Sequence, residues 1–168
     1  MTEAFLPLLR DDGLVINVSS GIGTRAAGAL SEATRSELDN ITNFERLRVT
    51  IAQLTREAAE RARQPGETPV YGLSKAGLNY YTKLVARQTP RLRVHACSPG
   101  FCRTEIAGPD ADYSKREPKA AALGADVVTK LLFGELGGGA TGRFYKEGSK
   151  PGTPLEQAWS AEEAWVAA

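Results

Sequence analysis

Histidine and cysteine are nearly missing from this 168-residue sequence, which holds one His and two Cys. A lone His95 among strand-forming residues reads as a packed side chain, because a protein zinc site takes three or four ligands. A metal enzyme is therefore disfavoured. Cys97 and Cys102 make no CxxC pair, and so few cysteines exclude a disulfide-stapled scaffold; a reduced, cytoplasmic protein is the expectation. No run approaches the ~20 apolar residues of a membrane-spanning helix. The opening MTEAFLPLLR is too short and too acidic for a signal peptide, so no membrane partner is expected. Charge of one sign is lacking too, since 21 Lys and Arg stand against 20 Asp and Glu. That balance removes the electrostatic case for nucleic acid. What remains is a chain 42% hydrophobic, the composition of a globular domain.

Residues 2–10 read as the end of a helix, stopped near Asp11-Asp12-Gly13. Leu14–Ser19 follows as a nearly continuous apolar run, the mark of a strand buried on both faces of a parallel sheet. The small residues of Gly21–Gly28 read as a loop. SEATRSELDN and FERLRVTIAQLTREAAERAR read as two polar-faced helices, with Ser31 and Asn43 as caps, and QPGETP breaks the pattern. VYGLSKAGLNYYTKLVARQ is the strongest helix, with Leu73, Ala76, Gly77, Tyr80 and Leu84 on one stripe. LRVHAC reads as a second strand, Pro118–Phe133 as a helix with Pro in its first turn, GELGGGATG as a loop and RFYKEG as a last strand. Residues 151–168, rich in Pro and Ala, read as a poorly ordered tail. Strands alternating with helices imply an α/β parallel sheet.

INVSSGIG, at Ile16–Gly23, admits two functions. Its end resembles a glycine turn that cradles a pyrophosphate, and its start resembles a buried strand delivering a serine. A dinucleotide turn needs glycines at set places and an acidic residue closing a second strand about twenty residues on. Here the chain runs instead into charged helices. GGGATG at Gly137–Gly142 fits GxGxxG literally, but it follows a helix and precedes a strand, the reverse of the required order. Neither is a phosphate turn.

Downstream residues favour the serine strand. Tyr71 and Lys75 are four apart and share a helix face. An ammonium beside a phenol favours the phenolate, which makes the tyrosine a better acid or base near neutral pH. Alone the pair is a weak signal. It stands, however, between a strand ending in Ser19-Ser20 and a strand emptying into Ser98-Pro99-Gly100. In an open α/β sheet ligands bind outside the carboxyl ends of the strands, where all these groups fall.

NVSS (Asn17–Ser20), YGLSK (Tyr71–Lys75) and SPGFCRT (Ser98–Thr104), in this order, resemble the C-terminal part of a short-chain dehydrogenase/reductase, from the start of the chain to about residue 148. Tyr71 lies 51 positions beyond Ser20, against about a dozen in most of the family. A helical insertion over about residues 30–64, followed by PGxxxTxxAG, is similar to the NADPH-dependent carbonyl reductase subgroup. The resemblance implies a small-molecule carbonyl substrate and NADPH in preference to NADH. It implies that Ser20 hydrogen-bonds the carbonyl and Tyr71 donates the proton. Lys75 holds the nicotinamide ribose and favours the Tyr71 phenolate. Pro99, Gly100, Cys102, Arg103 and Thr104 border the nicotinamide. The plain alternatives are a helix or turn cap for Ser19 and Ser20, a turn for Pro99-Gly100 and packing for the two cysteines.

The resemblance also measures what is missing. The family's TGxxxGIG turn would have its Thr and first Gly where Ile16 and Asn17 stand, and its NAG motif is not found. The expected fold is the C-terminal half of a Rossmann-type doubly wound parallel sheet over residues 1–150, without the N-terminal dinucleotide-binding βαβ units. Such a chain is expected to expose the outer edge of Leu14–Ser19 and to be an inactive fragment alone. With the other half it is expected to be a monomer, the insertion covering the surface that relatives use for pairing. A non-catalytic remnant that binds a partner through its strand edge is the competing expectation.

Overall fold

The computed structural model describes residues 2–61, 69–105, 117–138 and 141–146. The expected tail, the end of the insertion and Gly108 of the PGxxxTxxAG pattern lie outside the described residues. The first residues form a short helix α1 (Thr2–Phe5) and a single 3-10 turn (Leu6–Leu8). Asp12 then turns the chain with a φ of 60°, and β1 (Leu14–Val18) begins. After it come α2 (Gly21–Gly28), α3 (Glu32–Asn40), α4 (Phe44–Arg61) and α5 (Pro69–Gln88). β2 (Arg93–Cys97), α6 (Ala121–Leu132) and β3 (Arg143–Tyr145) complete the order.

The three strands form one sheet in the order β1-β2-β3, with both pairs parallel. Neighbouring residues of a strand face opposite sides, and the packing follows that alternation. Val15 and Val94 join the larger core, built with Ala76, Tyr80, Leu84 and Val85 of α5 and with Leu47 of α4. Ile16 and Cys97 join Val127 and Leu131 of α6 on the other side. Helices therefore cover both faces of a parallel sheet, the arrangement that such a sheet requires.

Three expectations need correction. Gly21–Gly28 is a helix and not a loop; glycine disfavours a free helix by about 1 kcal/mol each, and here close packing on α5 outweighs that. The last helix starts at Ala121 and not at Pro118, because Lys119 is used in a parallel bridge with Cys102. β1 is not buried on both faces: Val18 is 47% exposed. No strand among the described residues pairs with the outer side of β1.

The other helices match their sequence signals. Ser31 caps α3 by accepting from Thr34 N at 3.1 Å, and Asn43 Oδ1 accepts from Arg46 N at 2.8 Å at the start of α4. The insertion is tied to α5 through Arg87, which donates to the carbonyls of Asp39 (2.8 Å) and Ile41 (3.1 Å). Gly77 gives room to Ile51: a Cβ there would lie 2.9 Å from the Ile51 side chain.

A tighter approach sits at the other end of α5. A Cβ on Gly23 would lie 2.6 Å from the Lys75 carbonyl carbon, and one on Gly72 would lie 3.0 Å from Ala26 Cβ. Gly23→Ala gains up to about 1 kcal/mol of helix propensity. It must, however, push α2 off backbone atoms that cannot rotate away, an overpacking that costs about 1–3 kcal/mol. The clash wins, so Gly23→Ala should lower the urea midpoint; an equal or higher midpoint would contradict the packing.

His95 is buried edge-on against Tyr145, with ring centroids 5.4 Å apart. Neither ring nitrogen has a hydrogen-bond partner among the described residues. Burial, with the nearby charges of Arg93 and Arg143, pulls its pKa down to about 4. Between about pH 6.5 and that value the unfolded histidine binds a proton and the folded one does not. Stability from this group is therefore full above about pH 6.5 and declines towards pH 4, by at most roughly 3 kcal/mol. Urea unfolding at pH 7 and pH 4.5 should show the decline, and His95→Phe should flatten it. A slope unchanged by that substitution would assign the decline to other groups.

Candidate active site

The parallel sheet places the carboxyl ends of β1 and β2 side by side. Val18 pairs with Cys97 in the register, and Ser19 N donates to Cys97 O at 2.7 Å. The chain leaves β1 through Ser19 and Ser20 and leaves β2 through Ser98, Pro99 and Gly100. Both serine segments therefore emerge at one edge, and α5 lies across it.

Lys75 and Ser19 lock α5 to that edge. Lys75 Nζ donates to Val18 O at 3.1 Å, and the buried Ser19 hydroxyl donates to Lys75 O at 3.2 Å. Residues along a strand alternate in the direction of their N–H and C=O. Ser19 N points to β2, so Val18 O points outward, and Lys75 takes the last outward carbonyl of β1. One turn back, Tyr71 is 43% exposed, with Lys75 Nζ 5.9 Å from its ring centroid. A lysine has three donors. With one on Val18 O, two remain for hydroxyls or for the phenol.

Ser20 stands as the cap of α2, its side chain accepting from Ile22 N at 3.2 Å. The plain reading of that residue as a cap is thus realised. An accepting hydroxyl keeps its own proton for another partner, so capping does not consume the ability to donate to a carbonyl oxygen. Among the described residues no hydrogen bond joins Ser20 to Tyr71. The structure brings Tyr71 and Lys75 together directly, and relates Ser20 to them through Ser19 and the packing of Gly23 on Lys75.

The loop after β2 is a second component. Gly100 has a φ of +78°, a left-handed conformation that glycine adopts without strain. Cys102 Sγ lies 3.5 Å from Pro99 O, and α6 comes close enough that a Cβ on Gly124 would meet that sulfur at 2.3 Å. Arg103 N donates to Lys119 O at 2.9 Å. Pro99, Gly100, Cys102 and Arg103 thus form a turn pinned by the residues before α6, whereas Thr104 continues exposed beyond it. The other cysteine, Cys97, is buried, and burial pushes its thiol up to about 11, which keeps it a packing residue.

Two residues that sequence reading did not place in the site emerge here: Ser19, read only as a possible cap, and Ser98, given no role. Ser98 is 6% exposed, and its hydroxyl accepts from Gly21 N and from Gly100 N, each at 3.2 Å. The available signal was a serine two residues before a glycine that needs a turn, the pattern of a side-chain-to-backbone turn. An apolar groove of about 480 Å³ between α2 and the start of α5 is lined by Ile22, Ala26, Leu30, Gly72 and Leu73, with Arg25 at hand. A larger concavity of about 570 Å³ lies by α3 and α4. Neither is lined by Ser20, Tyr71 or Lys75. Among the described residues no group of three His, Cys, Asp or Glu side chains could hold a metal ion. No helix there is long and apolar enough to cross a membrane.

No family model matches the chain. Individual relatives do. It is 36% identical over 115 residues to (+)-neomenthol dehydrogenase of Arabidopsis thaliana, covering 63% of this chain and 38% of that protein. It is 29% identical over 124 residues to carbonyl reductase [NADPH] 1 of Rattus norvegicus, covering 68% of this chain and 45% of that one. The structure of salutaridine reductase from Papaver somniferum superposes with a TM-score of 0.65 at 27% identity, over 87% of this chain and 49% of that chain. The chain spans less than half the length of these relatives. Their shared sequence, the parallel sheet and the Tyr71–Lys75 pair at its carboxyl edge agree: the chain belongs to the short-chain dehydrogenase/reductase family and matches the C-terminal part of its reductases.

Proposed function

We propose that these residues form the carbonyl end of an NADPH-dependent reductase site. The observation that carries this reading is Tyr71 and Lys75 held on one helix face over the carboxyl end of β1, the strand that leads into Ser20. Tyr71 donates its phenolic proton to the oxygen of a ketone, aldehyde or quinone as that oxygen gains negative charge. Ser20 donates a hydrogen bond to the same oxygen and polarises the carbonyl. Lys75, 5.9 Å from the Tyr71 ring centroid, stabilises the charge left on the phenol. Its two remaining donors suit the ribose hydroxyls of the nicotinamide. A positioned general acid contributes about 10²–10⁴-fold. The nicotinamide supplies the hydride when bound. Pro99, Gly100, Cys102, Arg103 and Thr104 form the wall against it.

This sequence holds no glycine-rich phosphate turn, the feature that grips a dinucleotide most firmly. We therefore infer that the 168 residues alone bind NADPH weakly and do not turn over. With a dinucleotide-binding half supplied, the protein is a monomer, because α4 covers the long face of α5. A second reading is favoured by one observation, the open outer edge of β1: a non-catalytic protein that accepts a partner's strand there.

An NADPH titration of the purified chain, followed by thermal unfolding, separates the two. A ligand that binds only the folded state stabilises it by mass action, about 2.7 kcal/mol at a hundredfold excess over Kd. The reductase reading expects a saturable rise in Tm at millimolar NADPH. Lys75→Ala should weaken the apparent affinity by tenfold or more, while Tyr71→Phe should leave it within about threefold. No rise for the wild type, or an equal rise for Lys75→Ala, would remove the cofactor role.

A further inference from the structure

We propose that Ser98 is a positioning residue that ties the Ser20 end of the site to the Pro99-Gly100 turn through a single hydroxyl. Its catalytic meaning rests on the reductase reading, but the coupling itself does not. Ser98 Oγ accepts from two backbone amides 3.2 Å away, those of Gly21 and Gly100. The first belongs to the first residue of α2, directly after Ser20, and lies 77 positions away in sequence. The second belongs to the left-handed residue of the turn after β2.

At each end the amide that Ser98 takes has no backbone acceptor among the described residues. The first N–H groups of a helix have no partner within the helix. At α2 Ser20 satisfies Ile22 N, and Ser98 satisfies Gly21 N. The Gly100 turn would be an ordinary local serine turn if the same oxygen did not also take a donor from another element. Ser98 is itself fixed, since its amide donates to Tyr145 O of β3 at 2.8 Å. The hydroxyl thus refers both loops to the third strand. A displacement of α2, which would carry Ser20 with it, breaks a bond that the nicotinamide-side turn shares.

Amide hydrogen exchange of the full 168-residue chain tests this without any need for activity. Ser98→Ala should speed exchange at Gly21, Ile22 and Gly100 at least tenfold. Val94 and Ala96, in the middle of β2, should stay within about twofold. Ser98→Thr keeps the hydroxyl and should restore all three protected amides. Ile22 is the informative position, because its amide reports where the Ser20 side chain sits. Faster exchange at Gly100 alone would reduce Ser98 to a local turn residue and overturn the proposal. A uniform rise that includes Val94 and Ala96 would mean general destabilisation and would overturn it as well. The NADPH titration judges the reductase reading separately, so either can fail while the other stands.

Discussion

The near-contact of α2 with the first turns of α5 is the constraint on which the site depends. Gly23 lies where any side chain would strike the Lys75 backbone, and Gly72 lies where only a small neighbour fits against Ala26. Without side chains at these two points the helices approach closely, and Ser20, at the head of α2, stays near the helix that carries Tyr71 and Lys75. Dispersion between closely packed backbones is small per contact and substantial in sum. It also outweighs the poor helix propensity of a segment with three glycines among eight residues. The geometry that makes a short α2 possible is therefore the same geometry that assembles the site.

Polar groups then fix what the packing brings together. Each strand end donates or accepts across to its neighbour: Ser19 to Lys75 and Cys97, Lys75 to Val18, and Ser98 to Gly21 and Gly100. Most of these bonds run between elements far apart in sequence. Together they tie the segments that follow β1 and β2 to each other, to α5 and to the sheet. A net gain of about 1 kcal/mol apiece is typical, so their larger effect is on direction. They leave Tyr71 exposed, with an ammonium nearby, above the carboxyl edge where ligands of α/β sheets bind.

The outer side of β1 sets this sheet apart from a closed one. Leu14, Ile16 and Val18 turn their amides and carbonyls away from β2, and among the described residues only Val18 O is taken, by Lys75. A lysine at a strand edge discourages edge-to-edge self-pairing. The edge and the share of the three named relatives that the chain covers, 38% to 49%, are two independent signs of a sheet with room for more strands.

Much of this was legible in the residues themselves. The apolar runs LVINV and RVHAC announced parallel strands, and the helical stripe of α5 announced which of its faces is buried. The order of NVSS, YGLSK and SPG announced the family and the edge of the sheet at which its chemistry lies. Those features are local or periodic, and local pattern survives in one dimension. The helix at Gly21–Gly28 was not legible, because intrinsic propensity opposes it and only α5 makes it stable. The start of α6 was misplaced because Lys119 answers to Cys102, a partner far from it along the chain. Nor did any pattern show that Ser98 would hold Gly21. The sequence by itself determined the strands and the long helices, since these rest on local pattern, and the resemblance of its motifs in their order pointed to the family and the candidate chemistry. Only the tertiary structure decided how close α2 comes to α5 and which hydroxyl bridges which amides, since those depend on fractions of an ångström between residues tens of positions apart.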